Sequence, residues 1–238
     1  MGKLVIAIAT ALALAACTAE ETPDSGTTGT SAATASRQQE RAPSTNASEQ
    51  GTFLVRQGEE ELYRERFQRI GDRIESTISH PAGGERVEQE LTLKGDGTVE
   101  SVSARVFSES DQPTQEWTVR MDRGTALMQL SFEGGTPESQ SITVPPGTIP
   151  LLVNDSIILI EQVLRHATKA GGDRQQVSVL TVPEESSEPT AMNVMVTFNG
   201  PREAKSEAPD RALDVTTDGE GRILSATDTN EGITIQRE

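Results

Sequence analysis

One cysteine, two histidines and seven aromatic residues are all that 238 positions hold of these types. A single thiol excludes a disulfide within the chain. His80 and His166 have no metal-type partner at helical or short-loop spacing, which gives no zinc pattern. His80 precedes Pro81 and reads as a loop residue, and His166 reads as structural near a helix end. No G-x-S-x-G elbow occurs, and "GTTGTS" matches neither a phosphate loop nor a dinucleotide fingerprint, so no cofactor is expected. Positive charge is also scarce: 21 Lys+Arg stand against 37 Asp+Glu, a net charge of −16. That excludes the basic footprint nucleic acids require and opposes docking on anionic lipid headgroups. Long apolar runs are missing too. Leu4–Ala16 is 13 residues broken only by Thr10, short of the roughly 20 a spanning helix needs.

That short run follows Lys3 and ends in "LALAAC". A positive start, a brief apolar stretch and small residues at its end describe a secretory signal. Leu14-Ala15-Ala16-Cys17 resembles the lipobox of bacterial lipoproteins. The resemblance implies cleavage between Ala16 and Cys17, lipidation of Cys17, and an extracytoplasmic protein held to a membrane by acyl chains. Two or three chains anchor stably where one does so only marginally. Thr18 stands where an inner-membrane retention aspartate would be, so an outer-membrane location is favoured if the organism has one. The alternative is a plainly secreted protein cleaved after Ala13-Leu14-Ala15.

Residues 17–50 are then the acylated terminus and a tether. "SGTTGTSAATAS" buries too little apolar surface to offset its ordering entropy. As a random coil, residues 18–50 would span about 30 Å. Residues 51–238 form the domain. Removing Lys3 (+1) and the tether (−3) from −16 leaves −14 on it.

The domain's pattern has period two. "RVEQELTL" places Val87, Leu91 and Leu93 on one face; "EWTVRM" does so with Trp117, Val119 and Met121; "TALMQLSF" with Ala126, Met128, Leu130 and Phe132. "MNVMVTF", "RALDVTT", "RILSAT" and "ITIQ" continue it, with Gly-rich turns between. One apolar and one polar face is what a half-buried antiparallel sheet requires. The fold class is therefore mainly β: a large antiparallel curved sheet, a roll or partial barrel. One packed α-helix is predicted near residues 155–169. Asn154, Asp155 or Ser156 can cap it, Ile157, Ile160, Val163 or Leu164, and Ala167 share a face, and Gly171-Gly172 ends it.

"GTFLVRQGEEELYRERFQRIGDRIESTI" and "ALDVTTDGEGRILSATDTNEGITIQR" resemble the two ends of uncharacterised bacterial secreted β-domains, and "LLVNDSIILIEQVLRHA" resembles their middle helix. Those domains occur alone or ahead of α/β-hydrolase domains; no such domain follows in this sequence, so the resemblance brings no catalytic residue with it. A looser likeness is to periplasmic lipoprotein carriers, where a curved sheet and covering helix hold acyl chains.

Three functions stay open. The first is a binding module for an apolar ligand or envelope partner, with Trp117, Val119, Met121, Met128, Leu130, Phe132, Ile157, Ile160 and Leu164 as candidate cavity lining. The second is a structural or protein-interaction lipoprotein without ligand. The third is a carboxylate-based hydrolase, motivated only by the abundance of Asp and Glu. "DVTTDGEG" (214–221) has the wrong spacing for a calcium loop, and a hairpin turn accounts for it.

Overall fold

The computed structural model describes residues 48–81, 84–108, 111–153, 155–181, 188–209 and 211–238. The signal segment, Cys17 and the tether up to residue 47 lie outside the described residues, as does Asn154. Residues 46–238 form one compact unit. Its first strand starts at Glu49, two residues before the boundary drawn from the sequence.

The strands run β1 (Glu49–Gln57), β2 (Glu60–Ile70), β3 (Arg73–Ser79), β4 (Arg86–Leu93), β5 (Val99–Phe107), β6 (Pro113–Asp122), β7 (Thr125–Phe132) and β8 (Glu138–Thr143). Then come the two-residue β9 (Ile149–Pro150) and the helix α1 (Ile157–Ala170). The chain finishes with β10 (Arg174–Thr181), β11 (Thr190–Phe198), β12 (Glu203–Glu207), β13 (Ala212–Thr217), β14 (Ile223–Asp228) and β15 (Ile233–Arg237). All fifteen lie in one sheet, in the order β8 to β1, then β15 to β9. Every pairing is antiparallel except β9 with β10. The mainly β class and the large antiparallel sheet are thus as the alternation predicts.

The topology itself forces the curvature. Laid flat at about 4.8 Å per strand, fifteen strands would hold β8 and β9 roughly 67 Å apart. Yet only residues 144–148 join them, and six residue steps reach about 20 Å at most. The sheet must curl until its edges nearly meet. One contact records this: β9, at one edge, approaches β5, three strands in from the other.

The helix lies inside the curl. All eight residues from Ile157 to Leu164 are buried, Glu161 and Gln162 included. A helix buried all round in its first two turns is an internal one, where the sequence predicts a single apolar stripe. Ser156 is the cap: its hydroxyl accepts the Leu159 N–H at 3.2 Å. Gly171 (φ 74°) closes the other end, donating to the Ala167 and Thr168 carbonyls. No helix among the described residues is long and apolar enough to cross a membrane.

Candidate functional site: a cavity beside the internal helix

The helix is held by two buried carboxylates. On β2, Tyr63, Glu65, Phe67 and Arg69 alternate inward. Glu65 is fully buried and meets the helix N-terminus: its Oε2 accepts the Ile157 and Ile158 N–H groups at 2.5 and 3.1 Å. Its Oε1 accepts from Ser76, Gln89 and Ser156 at 2.8, 2.7 and 3.0 Å. A carboxylate there satisfies helix donors that have no partner inside the helix, and it faces the positive end of the helix dipole. Burial pushes its carboxyl up to about 6, opposed by the hydrogen bonds from Ser76, Ile158, Ser156 and Ile157.

The second carboxylate projects from the helix to the sheet. Glu161 is fully buried and accepts from Arg69 on β2 at 3.2 Å, and from Arg237 on β15 and the Ile223 N–H, both at 3.0 Å. Glu49 extends the network by pairing with Arg69 and Arg237. The pairs tie α1 to the seam where β1 meets β15, the first and last strands. Removing one partner of such a set leaves an uncompensated buried charge.

Beside the anchored helix a cavity of about 500 Å³ remains. Its helix side is Ile160 and Val163, with Leu151 and Asp155 from the segment before α1. Its sheet side is Val179, Met192, Val194 and Leu213 from β10, β11 and β13, with Val55, Tyr63 and Ile233. Size and lining fall in the range of small-molecule sites, which are mostly apolar with a few convergent polar groups. Three of its polar groups, His80, Asp155 and Arg211, stand close to Tyr63. Glu231, Thr181 and Ser206 complete its polar lining.

The predicted lining is corrected on this point. Trp117, Val119, Met128 and Leu130 are buried on β6 and β7, and Ile157 and Leu164 are buried on the helix, but none of these six lines the cavity. Met121 is half-buried and Phe132 is 41% exposed. Phe132 is the last residue of β7, which carries it past the covered part of the sheet. Of the nine candidates, only Ile160 lines the cavity. The reason is steric. Trp117, Met128 and Leu130 fill their own arm of the sheet. On β10 to β12 most inward residues are small, Val177, Val179, Val194, Val196, Ala204 and Ser206 beside the larger Met192, and their volumes leave space.

Trp117 instead borders a second hollow of about 440 Å³, whose rim carries outward-facing Glu75, Glu88, Arg105 and Glu116. His166 sits against Gly147, its Cε1 3.7 Å from where a Cβ would stand. Among the described residues, no group of three or more His, Cys, Asp or Glu could hold a metal ion. Glu65, Arg69 and Glu161 were missed because a charged residue in an alternating strand or helix reads as solvent-facing. The period-two run Tyr63-Glu65-Phe67-Arg69 was the available signal.

No protein-family model matches the sequence, and no curated protein does. Solved structures similar to it include a DUF1089 family protein from Pseudomonas aeruginosa, 16% identical, with a TM-score of 0.48, covering 67% of this chain and 86% of that one. Another is a beta-barrel-like protein of the domain of unknown function DUF1849 from Brucella abortus, 9% identical, with a TM-score of 0.42, covering 79% of this chain and 94% of that one. With TM-scores under 0.5, neither adds to the fold or function argued from the chain itself.

Proposed function

We propose that this protein is an extracytoplasmic binding module, tethered to a membrane through lipidated Cys17, that holds an apolar ligand between α1 and the β10–β13 arm. The observation that carries the reading is the cavity of about 500 Å³ with a wall of Ile160, Val163, Val179, Met192, Val194 and Leu213. Apolar surface left facing water costs about 25 cal/mol per Å², and an internal helix packed on both sides had every opportunity to close on it. The Glu65 and Glu161 anchors fix the helix against the other strands and hold the space open. The lipobox supplies the address and the tether the reach.

A neutral fluorophore such as N-phenyl-1-naphthylamine tests this. The full chain carrying Cys17→Ser, so that no acyl group on that residue competes, should bind it saturably at one site per chain. Met192→Trp, which projects a larger side chain from a half-buried cavity wall, should weaken binding at least tenfold with unchanged circular dichroism. Absence of saturable binding in the unsubstituted cavity sinks the reading and leaves the structural, ligand-free role.

A further inference from the structure

The cavity has a polar pole. Tyr63 is 5% exposed, and its hydroxyl makes no well-formed hydrogen bond among the described residues, with the Arg211 guanidinium beside it able to donate and the phenol's own proton left without an acceptor. The neighbouring His80 ring lies 5.5 Å from the Tyr63 ring, and its Nδ1 is also buried without a partner. Both residues line the cavity. A buried polar atom left unpaired costs on the order of 1–3 kcal/mol, so two such atoms at one end of an apolar cavity mark the place of a ligand's polar group.

The charges at that end decide its kind. Arg211 lines the cavity but is already held by Asp228 at 3.3 Å. Asp155 and Glu231 line it as well. At the Tyr63 phenol one guanidinium, already paired with Asp228, stands against the Asp155 and Glu65 carboxylates, in a domain whose sequence carries a large negative excess. A free carboxylate or phosphate entering there is repelled on balance. Burial and the nearby Asp155 keep the Tyr63 phenol in its protonated, donating form. A protonated phenol and a guanidinium are donors, so the complementary head is an acceptor.

We infer that the ligand is a neutral amphiphile, an apolar chain ending in an uncharged ester or amide carbonyl that accepts from Tyr63, with His80 beside it. The inference rests on the proposed cavity and names the chemistry of what fills it. Competition against the bound fluorophore at pH 8 separates the two. With the Cys17→Ser chain, a monoacylglycerol should displace the probe at a concentration at least tenfold below that of the fatty acid or alkylamine of equal chain length. Tyr63→Phe should weaken the monoacylglycerol about fivefold more than it weakens the fluorophore, the worth of one hydrogen bond. Equal or tighter binding of the acid or amine overturns the neutral-head assignment while the cavity stands. A monoacylglycerol affinity that falls no more than the fluorophore's in Tyr63→Phe overturns the role of the hydroxyl. If the fluorophore itself does not bind, the cavity reading falls first.

Discussion

Replacing Glu65 tests whether a buried carboxylate latches the helix to the sheet. Its folded value of about 6 lies above the ordinary 4.5 because of burial. An acid whose folded value is raised contributes no penalty below its unfolded value, where both states are protonated. As pH rises from 4.5 through 6, the folded state must ionise at a cost the unfolded chain does not bear. By linkage, that interval amounts to roughly 2 kcal/mol of stability lost. Glu65→Gln cannot ionise, so its stability relative to the original should rise by about 2 kcal/mol between pH 4.5 and pH 7. Taking the difference cancels the titrations the two chains share, Glu161 among them. Urea midpoints at pH 4.5, 5.5 and 7 provide the curve. Glu65→Ala removes the acceptor of the Ile157 and Ile158 N–H groups and should cost about 3 kcal/mol at pH 4.5, falling toward about 1 kcal/mol at pH 7 by the same linkage. A Glu65→Gln profile parallel to the original across the interval would refute the reasoning.

Three further outcomes follow from named contacts. Gly221 has φ 78°, and a Cβ there would stand 2.7 Å from the Thr168 hydroxyl and 3.0 Å from the Arg165 Cα; Gly221→Ala should cost about 2 kcal/mol or more, whereas Gly232→Ala, at φ 67° with open space around it, should cost about 1. Equal urea midpoints for the two would contradict this. Arg237→Leu strips Glu161 and Glu49 of a shared partner and should destabilise by about 3 kcal/mol, part of which Glu161→Gln restores in the double variant. Cys17→Ser should abolish incorporation of labelled palmitate in a bacterial host, and retention of label on the variant would remove the lipid anchor from the account.

The strands were legible because they show water one face. In "RVEQELTL", Val87, Leu91 and Leu93 are buried as their spacing requires. Gln89, on the same face, is buried too, but nothing within that run predicts it; its partners Glu65 and Ser156 lie 24 and 67 residues away. The helix was legible from its caps, Ser156 and Gly171, which act locally. Its complete burial was not, because Glu161 looks like a solvent-facing residue until Arg69 and Arg237 are brought to it by the β1–β15 seam. The cavity was placed in the wrong arm for a related reason. Large apolar side chains on β6 and β7 suggested a lining, yet large side chains fill space. The cavity lies where most inward residues of β10 to β12 are small, Met192 apart, and where the sheet sends them depends on how its strands curl.

The most direct test of the cavity reading is an isotope-filtered NMR experiment on the full Cys17→Ser chain with a bound monoacylglycerol. Nuclear Overhauser contacts from the acyl chain should reach the methyl groups of Ile160, Val179 and Met192, which line the cavity. They should be absent at Met128, which does not line it. Contacts to Met128 and Leu130, or none to any of the three cavity methyl groups, would contradict the account.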